Sequence, residues 1–397
     1  MKLAYIAAFV MSFSACSAGG PSAPLAAGAS NARPLSAGLG PVVTSRFGGE
    51  IFGWDIDQNG NDGLLTETAL EGGAFINAIE TFDESTGKIT KVVQKVERPN
   101  ASVEPVVDAI AGSDVGIVDV ERALVGLERS DYFDLLSPVS HNKLTGRTKP
   151  QHDLGMVPSF FTNNQASSSQ VMIVFYTDKH GHDRFGLYTY DTVAKTWGTR
   201  LDFPQRFLFQ SQPNYAVVDA ATNEAVVGHL KRSRYNPHES TTFEVLDAKT
   251  GKHLRSFYGV GYGFPNGMAI DPTTGVLCTT TTGDMDVEFY MLATGKGKAV
   301  QIPILNGGGG PLTNGAAVAA DPIHHLFLIA QLNSTVSPSG GSSVLVYDEH
   351  GKLVEYIDGF EFLNNYTVIP PHVAVNPANR TGYVNGPTVS QLQEFTY

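Results

Sequence analysis

At 397 residues, with 27 basic against 39 acidic side chains and a formal net charge of −12, the chain lacks the clustered Lys and Arg excess that phosphate backbones require. Nucleic acid is therefore excluded as a partner. Its 42 Gly and 22 Pro accompany 42% hydrophobic residues. That combination describes a turn-rich folded β-protein, because a disordered chain would be poorer in β-branched and aromatic side chains.

The chain opens with a positive Met1-Lys2 and an apolar run from Leu3 to Phe13, too short to span a bilayer, so residues 1–15 read as a signal peptide. Phe13-Ser14-Ala15-Cys16 then resembles the bacterial lipobox, in which small residues precede a cysteine that is acylated and becomes the new N-terminus. The resemblance implies lipidation of Cys16 and anchoring to a bacterial membrane. Ser17, where Asp would signal inner-membrane retention, implies the outer membrane or cell surface, with the periplasmic side as the other face. An ordinary secretory cleavage near Ser14-Ala15 or Ala18, with Cys16 incidental, is the alternative. Residues 16–40 are Gly, Ala, Ser and Pro with one charge, Arg33, and no periodicity. They predict a flexible tether with a reach of roughly 25 to 30 Å.

From residue 41 to 397 one pattern repeats. The stretch from Phe264 to Ile304 holds four short runs rich in Val, Ile, Thr and Tyr, each closed by Gly, Pro, Asn or Asp. It predicts four antiparallel strands joined by tight turns. The third turn carries an Asp followed by a Thr-Gly-Lys-like run, at Asp83 to Lys88, Asp247 to Lys252 and Asp348 to Lys352. Weaker copies stand at Tyr190-Asp191, at Phe133-Asp134 and at Leu292 to Lys296. A second marker closes the first strand of each unit, at Asp219, Asp271, Asp321 and Asn376. The period is about fifty residues, the signature of a β-propeller.

Counting both markers gives seven blades, with six or eight as the neighbouring counts. The last blade, His372 to Asn376, Thr381 to Asn385 and Gln391 to Tyr397, has three strands, and Pro41 to Arg46 is the candidate fourth. Such closure would join the chain ends and remove both exposed sheet edges. Val115 to Pro150 fits the repeat worst, and its His141 to Asp153 stretch is expected to protrude as a loop. The layout resembles the YVTN-type bacterial seven-bladed propellers, relatives of WD-repeat and NHL propellers. The resemblance implies a rigid binding scaffold and no particular activity; the chain is expected to be a monomer.

Two constellations could carry chemistry. Asp55, Asp57, Asn59, Asn61 and Asp62 crowd oxygen donors around Gly60, as a loop wrapping Ca²⁺ does, and also as an ordinary Asn/Asp/Gly hairpin turn does. Asn214, Asn266, Asn314 and His372 each stand just ahead of an innermost strand, with Glu50 at the equivalent place in the first blade. That ring at one mouth of the channel is a convergent polar set of the kind that binds a metal or small ligand.

Catalytic templates such as G-x-S-x-G, H-E-x-x-H, C-x-x-C-H and the Walker loop are absent from the sequence. Cys278 reads as a small buried hydrophobe, and His180, His182, His324 and His325 as surface turn residues. The expectation is a membrane-tethered, extracytoplasmic binding or scaffold module for a protein, glycan or small ligand. The alternative comes from Pro265-Asn266-Gly267 with Glu50, which is similar to positions in gluconolactonase-like propellers. It implies a metal-dependent lactonase.

Overall fold

The computed structural model describes residues 33–34, 38–56, 62–99, 109–110, 116–118, 133–137, 143–148, 157–163, 169–177, 180, 183–191, 194, 196–198, 200–202, 215–219, 221–231, 240–248, 250, 252–261, 265–281, 286–302, 315–331, 342–360 and 372–397. Within them every regular element is a strand. Two precede the repeats, β1 (Arg33–Pro34) and β2 (Leu39–Thr44). Blade 1 is β3 (Glu50–Ile56), β4 (Asp62–Glu71), β5 (Ala74–Asp83) and β6 (Ile89–Pro99). Blade 2 is β7 (Ala109–Ile110), β8 (Gly116–Val118), β9 (Phe133–Ser137) and β10 (Lys143–Thr148).

Blade 3 comprises β11 (Val157–Asn163), β12 (Ser169–Thr177), β13 (Asp183–Asp191), β14 (Thr196–Trp197) and β15 (Leu201–Asp202). Blade 4 is β16 (Tyr215–Asp219), β17 (Glu224–Lys231), β18 (Ser240–Asp247) and β19 (His253–Tyr258). Blade 5 is β20 (Pro265–Asp271), β21 (Val276–Thr281), β22 (Asp286–Met291) and β23 (Lys296–Gln301). Blade 6 is β24 (Gly315–Asp321), β25 (Leu326–Gln331), β26 (Ser342–Asp348) and β27 (Leu353–Phe360). Blade 7 is β28 (Val373–Asn376), β29 (Thr381–Asn385) and β30 (Gln391–Thr396).

Within each blade the strands pair antiparallel in sequence order, save that β14 and β15 of blade 3 both pair with β13, and β2 completes blade 7 by pairing with β30. The first strands touch in a closed circuit, β3 to β7, β11, β16, β20, β24, β28 and back to β3. Seven sheets of the described residues therefore stand around one axis. In blades 5 and 6 a middle strand is covered on both faces, so β21 (Val276–Thr281) and β25 (Leu326–Gln331) are buried throughout instead of alternating. Among the described residues, apolar clusters fill the gaps between successive sheets from blade 4 round to blade 1. Phe243, Phe257, Leu277 and Tyr290 join blades 4 and 5, and Cys278, Phe289, Phe327 and Tyr347 join blades 5 and 6. Cys278 is fully buried and its thiol is pushed up by that burial, as a small hydrophobe's would be.

The turn markers do the jobs their chemistry suggests. Asp83 Oδ1 accepts the Thr86 N–H at 2.9 Å, Asp247 Oδ1 that of Thr250 at 2.6 Å, and Asp348 Oδ1 those of His350 and Lys352. Gly87 and Gly351 take the left-handed position with φ of 66° and 67°. Lysines on the outer strands, such as Lys296 of the exposed β23, guard open edges against further pairing.

Several sequence expectations are corrected. Lys143–Thr148, inside the stretch expected to protrude, is a strand paired with β9, and blade 2 starts at Ala109 rather than Val115. Phe133-Asp134 opens β9, facing Thr148 and Arg147, and so does not mark a third turn. The closing strand also begins at Leu39, inside the expected tether, and Arg33–Pro34 pairs parallel with Glu355 and Tyr356 of β27.

Candidate functional site: the inner strands and the closing seam

The inner strands share one irregularity. The pairing register slips between Ile51 and Gly53, Pro158 and Phe160, Pro265 and Gly267, and Gly315 and Ala317, near the start of the first strand in four blades. A bulge there frees a backbone carbonyl from the ladder and re-aims the side chains at the strand's opening. In two blades a buried threonine of the next strand makes good the loss: Thr279 Oγ1 donates to Gly267 O at 2.9 Å and Thr66 Oγ1 to Gly53 O at 3.3 Å. Asn266 lies in the bulge of β20, so Asn266-Gly267 is part of a strand and not a turn.

Gly267 is required by packing. A Cβ there would sit 2.8 Å from Val318 N and 2.9 Å from Ala317 Cα of blade 6. Only a residue without a side chain lets the two inner strands approach this closely.

Of the other expected mouth residues, Glu50 and His372 are described. Glu50 opens β3; its Oε1 is enclosed without a hydrogen-bond partner among the described residues, and burial raises its pKa. His372 precedes β28, and its N–H donates to Asn385 Oδ1 at 2.9 Å. Its ring stands edge-on to buried Trp54, with centroids 4.9 Å apart, and hydrogen-bonds to the Trp54 backbone. Surrounding protein lowers the imidazole below the ordinary histidine range, and the hydrogen bond to the Trp54 backbone opposes that shift. The indole Nε1 of Trp54 is buried without a partner among the described residues. Asn214 and Asn314 lie outside the described residues, as does Cys16.

The candidate Ca²⁺ loop is the first hairpin of blade 1. Asp55 is buried within β3, its Oδ1 accepting the Ile56 N–H at 2.8 Å, and Asp62 begins β4 opposite Asp83. Asp57, Asn59 and Asn61 fall outside the described residues.

Sequence reasoning missed the polar contacts that hold the closing seam. Glu67 Oε1 and Oε2 accept the N–H groups of Phe47 and Gly49, both at 3.0 Å, and Glu80 Oε2 accepts that of Arg46 at 2.9 Å. Asn376 Nδ2 donates to Glu84 Oε2 at 3.0 Å, and Tyr383 Oη to the Glu84 carbonyl at 2.6 Å. Burial pushes Glu394, beside Tyr383, up to about 7. In the sequence Glu67, Glu80 and Glu394 read as ordinary polar positions of strands and Glu84 as a turn residue.

No known protein family matches the sequence, and no curated protein does. Solved structures do. Raptor from Chaetomium thermophilum matches with a TM-score of 0.59 and 9% identity over 90% of this chain, which spans 29% of that one. RRP9 WD40 repeats match with a TM-score of 0.56 and 10% identity, covering 90% of this chain and 97% of theirs. The fold is a β-propeller. Hydrazine synthase of Kuenenia stuttgartiensis matches with a TM-score of 0.57 and 11% identity, covering 89% of this propeller and 97% of that chain. At such identities the likeness concerns the fold alone.

Proposed function

We propose that this propeller is an exported, lipid-anchored binding scaffold, held to the outer membrane or cell surface through acylated Cys16 and acting as a monomer. It presents the inner-strand openings around Glu50 and His372 to a protein, glycan or small ligand. The observation that carries the reading is the course of the N-terminal segment. Arg33–Pro34 lies along the outer strand β27 and Leu39–Thr44 completes blade 7, so a lipid anchor upstream would depart from the rim of blades 6 and 7. An enclosed, unpartnered carboxylate oxygen on Glu50 supports binding there, because a buried acceptor gains most from a donor brought by a ligand.

Two readouts test this. The full chain expressed in a lipoprotein-processing bacterium is expected in the membrane fraction, and Cys16→Ser in the soluble fraction. A photo-crosslinking residue at position 372 is expected to capture the partner, and one at position 296 on the outer edge to capture none. A Cys16→Ser chain that stays with the membrane refutes the anchor, and adducts from the edge alone refute the binding face.

A further inference from the structure

His324 and His325, surface turn residues by sequence, differ in what the fold brings to them. His324 Nδ1 meets one carboxylate, Asp321 Oδ2, at 2.7 Å. His325 Nδ1 lies 2.8 Å from Asp271 Oδ2 of the preceding blade, and the Glu349 carboxylate joins them, the three donor atoms all within 4.8 Å of one another. Among the described residues no other three His, Cys, Asp or Glu side chains converge in this way. We propose that Asp271, His325 and Glu349 form a site for a first-row divalent metal, such as Zn²⁺, that clamps blade 5 to blade 6.

The donor set suits such an ion. One imidazole nitrogen and two carboxylate oxygens, without a thiolate, match the mixed N/O chemistry of Zn²⁺ and its neighbours, and two anionic ligands neutralise a dication. The spacing permits it as well, since ligands about 2.0 to 2.2 Å from one Zn²⁺ stand a little over 3 Å apart. The metal would take the place of the direct Asp271–His325 contact.

The site is organised before any ion arrives. Asp271 has no solvent exposure, and its Oδ1 is occupied by Thr273, whose N–H and hydroxyl donate at 2.8 and 2.6 Å. That leaves Oδ2 turned toward His325, an outer-shell arrangement that fixes a ligand's orientation. Glu349 is held from blade 5 too, because Lys298 Nζ donates to the carbonyl of the adjacent His350. His325 occupies the left-handed position of its turn, with φ of 56°, where the matching turn of blade 5 has Gly275 at 68°. Asn223 and Arg380 take the same position in the turns of blades 4 and 7, with φ of 58° and 53°.

Isothermal titration of the full chain with Zn²⁺ after EDTA dialysis, paired with thermal unfolding with and without Zn²⁺, tests the proposal. One saturable site and a Zn²⁺-dependent rise in Tm are expected. Glu349→Gln, at a side chain 26% exposed, should leave the metal-free Tm unchanged while weakening Zn²⁺ binding about tenfold or more. His325→Asn, which suits the left-handed position, should do the same to affinity, and His324→Asn should not. A simple Asp271–His325 ion pair would give no Zn²⁺-dependent rise in Tm. No saturable binding, or binding of unchanged affinity in both Glu349→Gln and His325→Asn, overturns the proposal; the second result would place the ion elsewhere, as in the Asp55 to Asp62 hairpin.

Discussion

Glu67 and Glu80 lie on one face of the first blade's central hairpin, both without solvent exposure, and between them they accept three backbone N–H groups of the loop that joins β2 to β3. Two carboxyl groups so close in a buried place cannot both ionise cheaply. Burial first, and then Glu67, raise the pKa of Glu80; the Arg46 N–H and the Arg46 charge oppose them. The ring's closing loop is thus held by an acid pair that prefers to keep one proton.

The sign of the pH dependence follows. Glu80 binds its proton more tightly in the folded state than in the unfolded one, so its contribution is complete below the ordinary glutamate range. It is lost as pH rises through the elevated folded pKa. Glu394, pushed up to about 7 on the same seam, acts in the same direction. Thermal unfolding should therefore show Tm falling between the ordinary Glu range and about pH 7. Glu80→Gln keeps an acceptor for Arg46 and cannot ionise, so it should flatten that slope and raise Tm at pH 8 by on the order of 2 °C. An unchanged slope in the variant would remove Glu80 from the account.

The inner-strand contact at Gly267 makes a prediction with an internal control. Gly267→Ala would drive a Cβ against the backbone of Ala317 and Val318, which cannot swing aside, and should cost about 2–3 kcal/mol by urea unfolding. Gly275→Ala meets nothing within 4 Å and bears only the left-handed conformation, so it should cost about 1 kcal/mol. Equal costs would mean that blades 5 and 6 do not approach as described.

Arg255 ties three elements together. Its Nη1 and Nη2 donate to Glu224 Oε1 and Oε2 at 2.8 and 2.5 Å, and Nη2 also to the Leu292 carbonyl of blade 5 at 3.0 Å. Lysine keeps the charge and loses the planar fork, so Arg255→Lys should destabilise by about 1 kcal/mol at low salt, measured by urea unfolding. A neutral result would reduce this link to an exposed ion pair.

The blade pattern was legible because turn chemistry is local: Asp83, Asp247 and Asp348 cap their own turns within a few residues, so composition alone reveals them. Blade 2 was misread where that local signal fails, since Phe133-Asp134 mimics the marker and yet begins a strand. The closing strand was foreseen, although its start at Leu39 was hidden by a Gly-rich composition that also suits a tether. Contacts between blades left no trace in the sequence. His325 finds Asp271 across 54 residues, and Tyr383 finds Glu84 across 299, because sheets stack irrespective of spacing along the chain.

Closure of the ring by β2 is the claim on which the rest depends, and a designed disulfide tests it most directly. Thr44 and Gln391 face each other across the β2–β30 pair, with Gln391 Nε2 donating to Thr44 Oγ1 at 3.4 Å. In Thr44→Cys/Gln391→Cys, mild oxidation should form one intramolecular disulfide and stabilise the protein by about 2–4 kcal/mol, read by mass spectrometry and thermal unfolding. Both thiols remaining free, or only intermolecular disulfides, would contradict it.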